Sequence, residues 1–359
     1  MNYFLHSPQK KLRDSNMELL RIVTMSMIVV LHLIVYLLEN TEYSSNSFFS
    51  LFWIKYTKSL TIVSVNVFVM LSGWYGIHLK WQRFSELWFQ VIFWGLIGLC
   101  IGFLCKKDIS LSYAIKYLLL ANGDMYGFFQ SYIILYIISP LLNLYIDTAK
   151  KDQIISLLLA FFIIQLLWGC LSWGYIYFGN GYSCVSFMGI YLLARFAKKN
   201  YIGIRFSSFL YIGFYFLLSF VGTMITISLS NWNSGAFAFW GEALAYSYAS
   251  PIVIISAFSF LCYFSKIRIK PNQVINYISK HSFAVYLFHM NIFILPTFLH
   301  LCSSYIDGQL HHFIILAIVA CICIFAVSVI LDSFRLGIWN YILYFSRTRI
   351  NHRPPTNIP

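Results

Sequence analysis

The sequence predicts an all-α, polytopic membrane protein with about ten transmembrane helices and both termini in the cytoplasm. Three observations lead to this fold class: an apolar composition, ten long apolar runs, and a strong bias in where the basic residues fall. Of the 359 residues, 60% are hydrophobic and only 10% are charged, against about 25% charged in ordinary soluble domains. So few charges cannot cover the exterior of a soluble protein of this size. The composition therefore excludes soluble enzymes, disordered proteins and coiled-coil fibres.

The apolar runs define the predicted spans, because a helix needs about 20 mostly apolar residues to cross a hydrocarbon core about 30 Å thick. The runs are continuous, whereas the strands of a β-barrel would alternate apolar and polar residues. The predicted spans cover residues 18–38, 60–79, 85–104, 126–146, 154–172, 182–196, 207–228, 247–265, 282–303 and 312–334. The shorter run at 111–120 predicts an interfacial helix. The chain is accordingly divided into an N-terminal cytoplasmic segment (1–17), a membrane-embedded domain (18–335) and a cytoplasmic tail (336–359).

The basic residues set the orientation of these spans. With the N-terminus in the cytoplasm, the inner segments contain 19 of the 25 Lys and Arg residues and the outer loops contain five. The outer five are Lys55, Lys58, Lys106, Lys107 and Lys116. This excess on the inner side follows the positive-inside rule. The net charge of +13 is therefore a topology signal and does not indicate nucleic-acid binding. We predict a multi-pass protein of the cell (inner) membrane, with the lipid bilayer as its surroundings.

The first span contains two ionisable residues, and ionisable groups within the hydrocarbon are functional candidates by default. Arg21 and His32 are 11 residues apart, which places both on one helix face about 16 Å apart along the axis. A long, thin molecule with a phosphate-bearing head could contact both side chains, and coenzyme A has that shape. The alternative is that Arg21 reaches lipid phosphates while His32 hydrogen-bonds to a neighbouring helix.

A second basic pair follows the second span. Lys80 and Arg83 are three residues apart, so on a helix they would share a face, at the same membrane level as Arg21. Three cations there could hold the phosphates of a nucleotide-headed donor. The alternative is that the pair only reflects the positive-inside rule. Glu18 lies at the same cytoplasmic edge, and no carboxylate lies clearly at the middle of a span.

Four stretches of the chain resemble the signatures of the acyltransferase 3 family of integral-membrane acyltransferases. In chain order they are RDSNMELLRIVTMSMIVVLH, SVNVFVMLSGWYGIHLKWQR, GFFQSYIILYIISPLLN and SFAVYLFHMN. The first resembles the family pattern of an Arg followed by a His after ten intervening residues, which Arg21 and His32 match. The second resembles a basic-x-x-Arg pattern, which Lys80 and Arg83 match. The resemblance extends from about Arg13 to Arg335.

The resemblance implies transfer of an acyl group, most often acetyl, from acetyl-CoA on the cytoplasmic side to a sugar hydroxyl of a surface or envelope glycan. Acetyl-CoA is then a co-substrate, and neither a bound cofactor nor a metal is expected. The resemblance also implies that His32 is catalytic and that Arg21, Lys80 and Arg83 lie near the donor. Two positions depart from the family pattern, since Tyr126 stands where many members have Trp and Lys80 where many have Arg.

Two mechanisms are open for His32. As a general base it would take a proton from the acceptor hydroxyl, because an imidazole deep in a membrane is more easily kept neutral than charged. As a nucleophile it would form an acyl-imidazole and pass the acetyl group on in two steps. Candidates for a supporting role are Glu18, Asn66, Ser72, Tyr132, Tyr286 and His289. Alternatively, each polar residue within a span could form a hydrogen bond that only holds packed helices together.

The outer side of the predicted bundle is rich in aromatic residues, which could stack on the rings of a sugar acceptor. The aromatic positions are Trp168, Trp173, Tyr175, Tyr177, Tyr182, Trp232, Trp240, Tyr246 and Tyr248, and the polar ones are Asn231, Asn233 and Glu242. The alternative is an aromatic belt at the membrane interface. The rival function is export of a polysaccharide or lipid-linked sugar without acyl transfer. Proton-driven transport usually needs an intramembrane carboxylate relay or paired broken helices, and neither is clear in the sequence.

Overall fold

The computed structural model describes residues 14–39, 48–121, 126–172, 177–230, 235–305 and 309–351. Within these ranges the regular secondary structure is entirely helical. The helices are α1 (Ser15–Leu33), α2 (Phe48–Thr61), α3 (Ser64–Tyr75), α4 (Trp81–Leu104), α5 (Leu111–Leu118), α6 (Gly127–Thr148), α7 (Lys151–Ile164), α8 (Cys184–Lys199), α9 (Ser208–Ser230), α10 (Gly235–Tyr246), α11 (Pro251–Lys266), α12 (Gln273–Lys280), α13 (Ser282–His289), α14 (Leu295–Ser303) and α15 (Leu310–Asn351). Wider helical turns extend α1 through Ile34–Glu39 and α7 through Gln165–Cys170.

Eight helical segments of the described chain are long and apolar enough to cross a membrane. They are Ser15–Glu39, Phe48–Tyr75, Trp81–Leu104, Gly127–Thr148, Lys151–Cys170, Ser208–Ser230, Gly235–Lys266 and Leu310–Phe345. Each contains or overlaps one predicted span, so the all-α polytopic fold is confirmed. The sixth and ninth predicted spans are occupied by shorter helices. The sixth is α8, with 16 residues, and the ninth is divided among α13, α14 and the turn between them.

The break in the ninth span brings polar side chains into the interior of the bundle. His281 caps the start of α13, His289 ends it, and Asn291 lies in the turn that follows. All three are at most 1% exposed. The two ends of α13 therefore place hydrogen-bonding side chains among the packed spans.

Some helix boundaries differ from those predicted. The second span begins with α2 at Phe48, so Lys55 and Lys58 lie in a helix and not in an outer loop. The physical reason is neutralisation, because Lys55 pairs with Glu242 at 2.7 Å and Lys58 pairs with Glu39 at 2.8 Å. Because these charges are paired, the helix can include residues at which the sequence suggested a loop. At the other end of the chain, α15 continues to Asn351, past the predicted end of the tenth span. The short helix predicted at 111–120 is confirmed as α5.

Helix α3 lies at the centre of the bundle, packed mainly against α8 and also against α1 and α11. Its apolar residues Val67, Val69 and Met70 are fully buried. Gly73 allows the close approach to α8, because a Cβ at this position would lie 2.4 Å from the backbone oxygen of Tyr191. Because the clashing atom belongs to the backbone and not to a side chain, α3 and α8 would have to move apart.

We expect Gly73→Ala to destabilise the protein by about 1–3 kcal/mol, the usual cost of overpacking a close-packed interior. Thermal unfolding of the detergent-purified protein would measure the loss. Gly213→Ala is the matched control, because a Cβ at Gly213 meets nothing within 4 Å. Equal unfolding temperatures for the two variants would contradict the close packing of α3 on α8.

Candidate active site

A polar cavity of about 220 Å³ lies at the end of the bundle that contains the predicted cytoplasmic residues. Its basic lining residues are Arg21, Arg83, Lys280 and Arg335. The structure therefore brings Arg21 and Arg83 together, as the sequence predicts, although one comes from α1 and the other from α4. Lys280 and Arg335 were not among the predicted site residues. The basic residues of the cavity therefore come from more helices than the two signatures alone suggest.

Arg21 and Arg83 each make one ion pair within their own helix. The Nη1 atom of Arg21 donates to Glu18 Oε2 at 2.7 Å, and Nη1 of Arg83 donates to Glu86 Oε2 at 2.8 Å. The hydroxyl of Ser279 also donates to Oε2 of Glu18. Because a guanidinium carries five N–H donors, one such pair leaves each arginine further donors for an anion. Both arginines also line an adjoining polar cavity of about 460 Å³.

Lys80 and Arg83 do not both lie within one helix, as the prediction of a shared face had assumed. Lys80 precedes α4 in an extended conformation, with φ −132° and ψ 120°, and the helix begins at Trp81. Its side chain is exposed and lines neither of the two polar cavities. Its role in donor binding remains a prediction, whereas Arg83 lies on the cavity wall.

The extended segment before α4 has a clear local cause. Gly76 ends α3 with a φ of 76°, a conformation that side chains rarely adopt. The backbone groups that follow are then bound by other helices. The amide of Ile77 donates to the Tyr191 hydroxyl at 2.9 Å, and its carbonyl accepts from Asn143 Nδ2 at 2.8 Å. The hydroxyl of Tyr136 accepts from the Lys80 amide at 3.1 Å. These contacts fix the start of α4 and hence the position of Arg83.

His32 lines a second, mainly apolar cavity of about 480 Å³. Three rings, those of Phe68, Phe128 and Phe283, line both this cavity and the polar one. The two cavities therefore meet at these rings. The arrangement places a cationic chamber at one end and an imidazole in an apolar chamber beyond it, which is the order expected for a donor with a charged head and an apolar arm.

His32 is hydrogen-bonded to His289, which lies at the end of α13. Nδ1 of His32 is 3.2 Å from Nε2 of His289, and Nδ1 of His289 is 2.6 Å from the carbonyl oxygen of Val285. A carbonyl only accepts, so neutral His289 carries its proton on Nδ1 and its Nε2 is an acceptor. His32 must then donate from Nδ1. This assignment leaves Nε2 of His32 unprotonated, which is the state needed for a base or a nucleophile.

The other predicted supporting residues occupy different parts of the site. Ser72 and Tyr132 line the polar cavity, with their hydroxyl oxygens 3.2 Å apart. Tyr286 lines the apolar cavity with His32. Asn66 is fully buried and donates from Nδ2 to the backbone oxygen of Tyr248 at 3.0 Å. Asn66 therefore holds the backbone of Tyr248, which lines the apolar cavity.

Tyr126, which departs from the family pattern, is a buried contact between α6 and α13. Its hydroxyl donates to the carbonyl of Leu287 at 2.7 Å and accepts from Asn291 Nδ2 at 3.2 Å. These bonds hold the end of α13, two residues from His289. The tyrosine at this position therefore supports the orientation of the histidine pair.

Sequence reasoning missed a buried ionic network beside the polar cavity. Asp332 contacts Arg335 at 2.6 Å, His281 at 2.8 Å and Gln90 at 2.9 Å, and all four residues are at most 5% exposed. The available signal was the position of Asp332 and Arg335 within the tenth span, where ionisable groups are costly. In the described part of the chain, no group of three or more His, Cys, Asp and Glu side chains could hold a metal ion.

Only two of the outer aromatic residues singled out in the sequence reach the His32 cavity within the described chain. They are Tyr182 and Tyr248, whose ring centroids are 5.6 Å apart. Trp168 and Tyr177 are exposed, and Tyr246 packs under Lys58. Residues 173, 175 and 231–233, which include the other predicted candidates Trp173, Tyr175, Asn231, Trp232 and Asn233, lie outside the described residues.

Comparison with known protein families gives a match over most of the chain. The family model Acyl_transf_3, described as an acyltransferase domain, matches residues 14–332, nearly the whole chain. No curated protein and no solved structure matches. The match includes α1 with Arg21 and His32, the start of α4 with Arg83, and α13 with His289. The chain therefore belongs to the acyltransferase 3 family and is a multi-pass membrane acyltransferase.

Proposed function

We propose that this acyltransferase moves an acetyl group from acetyl-CoA to a sugar hydroxyl of a cell-surface polysaccharide or lipid-linked glycan. The observation that carries the proposal is the pair of adjoining cavities, one cationic and one apolar, with His32 in the second. The nucleotide phosphates of coenzyme A would bind between Arg21 and Arg83. The pantetheine arm would pass the shared phenylalanine rings and bring the thioester to His32.

The histidine pair supports direct general-base catalysis. Nε2 of His32 takes the proton of the acceptor hydroxyl as its oxygen attacks the thioester carbonyl. The C–S bond breaks, and the coenzyme A sulfur leaves with the proton that His32 gives back. His289 accepts the Nδ1–H bond of His32 throughout and so stabilises the imidazolium form. The same unprotonated nitrogen could form an acyl-imidazole, so both mechanisms use one tautomer.

The acceptor side of the proposal rests on Tyr182 and Tyr248, which line the His32 cavity. Their rings offer an apolar face on which a sugar could stack. Export without acyl transfer has less support, because the buried carboxylate of Asp332 is bound by Arg335, His281 and Gln90 and so cannot act as an open proton relay.

Incubation of the purified protein with acetyl-CoA labelled in the acetyl group, together with candidate glycans, tests this function. The expected result is a labelled glycan whose label is released by mild alkali, as an O-ester requires. Donor binding without transfer to any hydroxyl acceptor, combined with glycan transport by the protein in vesicles, would contradict it.

We expect Arg83→Gln to weaken coenzyme A binding by about 10–100-fold, since a hydrogen bond to a charged group contributes about 1.5–3 kcal/mol. The loss should be larger at low ionic strength, where the charge of the exposed Arg83 is less screened. Titration calorimetry in detergent would measure it. Arg268→Gln is the control, because Arg268 is an exposed basic residue outside the cavities. Unchanged affinity in a folded Arg83 variant would mean that this arginine reflects only the positive-inside rule.

A further inference from the structure

Arg335 is buried and yet belongs to the wall of the polar cavity. It is 2% exposed. Its Nε donates to Asp332 Oδ1 at 2.6 Å and its Nη2 to Oδ2 at 3.2 Å. Its third nitrogen, Nη1, has no hydrogen-bond partner among the residues that the structure describes. One edge of the guanidinium is therefore occupied by Asp332, and the remaining nitrogen carries two N–H donors without an acceptor.

Asp332 holds this arginine in one orientation. Its Oδ1 also accepts from Gln90 Nε2 at 2.9 Å, and its Oδ2 is 2.8 Å from His281 Nδ1. The carboxylate is thus bound from α4, from the start of α13 and from its own helix. Because Asp332 is fixed on three sides, the guanidinium that it binds is fixed as well. Such preorganisation is typical of a binding residue and lowers the cost of ordering it.

A buried N–H of a charged group is costly when it lacks an acceptor. The surrounding charge decides which acceptor fits. The cavity wall also includes Lys280 and two arginines, Arg21 and Arg83, each of which pairs with one glutamate and keeps further N–H donors. An anion with several oxygens satisfies this excess of donors, and phosphate is the group that arginine binds with matching geometry.

We propose that Arg335 binds a phosphoryl oxygen of the acyl donor through Nη1, with Asp332 as its positioning residue. The inference rests on the proposed function, since coenzyme A supplies the phosphates. It adds a ligand from the last span to a donor site otherwise built from the first and third predicted spans. The donor site then includes residues of α1, α4 and α15.

The test compares binding of coenzyme A and of adenosine 3′,5′-bisphosphate, which carries phosphates but no pantetheine arm. Arg335→Gln should weaken both ligands by the same factor, at least about tenfold, and Arg268→Gln should weaken neither. Equal affinities in wild type and in a folded Arg335 variant would overturn the inference alone. A wild-type protein that binds neither ligand would overturn the donor proposal and this inference with it.

Two further measurements keep the test decisive. If Arg335→Gln alone fails to fold, because it leaves Asp332 as an unpaired buried charge, the double variant Asp332→Asn with Arg335→Gln removes the pair together and should show the same loss. Binding of phosphatidylglycerol is measured in parallel to separate donor from lipid phosphate. A variant that loses the lipid and keeps coenzyme A would overturn the proposal.

Discussion

His32→Ala is expected to abolish acyl transfer while coenzyme A binding stays close to that of the wild type. His32 is the group of the apolar cavity with an unprotonated nitrogen, as its hydrogen bond to His289 requires. Arg21 and Arg83, the residues proposed to bind the donor phosphates, lie in the other cavity, so we expect donor affinity not to depend on the imidazole. Loss of a general base typically costs about 10²–10⁴-fold in rate, and loss of a covalent carrier would cost more.

The decisive measurement pairs coenzyme A binding with acetyl transfer in one preparation of the variant. His300→Ala is the matched control, because His300 lies exposed on α14, outside both cavities. Transfer near the wild-type rate in His32→Ala would refute the catalytic role and make His32 a packing residue. Loss of both binding and transfer in a folded protein would instead place His32 within the donor pocket.

The fold class could be predicted because membrane insertion imposes a simple rule on sequence: long, continuous apolar runs become helices. The rule fails where tertiary contacts change the free-energy cost of placing a charged or polar residue within a span. Lys55 and Lys58 suggested a loop, but Glu39 and Glu242 neutralise them within the bundle. The break in the helix after His289 could not be predicted from the sequence, because the buried polar side chains at the break hydrogen-bond to residues of other helices. Apolar composition alone does not distinguish such a broken span from a continuous one.

The candidate site could be predicted only as far as helical spacing reaches. The relation between Arg21 and His32 follows from residues on one helix, 11 apart. The contact between His32 and His289 joins residues 257 apart in the chain, and no local pattern specifies it. Lys80 shows a further limit, since a spacing of three did not reveal that Lys80 lies just before α4 and lines neither polar cavity. Arg335 was visible as a charge at the end of a span, but its place on the wall of the polar cavity depends on how α15 packs.

His289→Ala is expected to lower the rate of acetyl transfer by about 10²-fold or more, while the affinity for coenzyme A is retained. His289 does not line the apolar cavity and contacts His32, so we expect it to act through His32 as a positioning residue. With the tautomer inferred above, its removal leaves the Nδ1–H of His32 without its acceptor, and the ring can then turn or change tautomer. Misplacement of a reacting group by about 1 Å can cost about 10²-fold in rate.

The variant His289→Gln separates this role from simple packing. A glutamine side chain offers an amide oxygen that can accept from Nδ1–H of His32, whereas alanine offers none. If His289 fixes the tautomer, His289→Gln recovers a measurable part of the rate lost in His289→Ala, and the change appears in kcat and not in the KM for acetyl-CoA. Equal kcat values for the two variants, with similar thermal stability, would show that His289 only fills space. A rise in KM with unchanged kcat would place it in donor binding, because the ground-state contact and not the base would then have been lost.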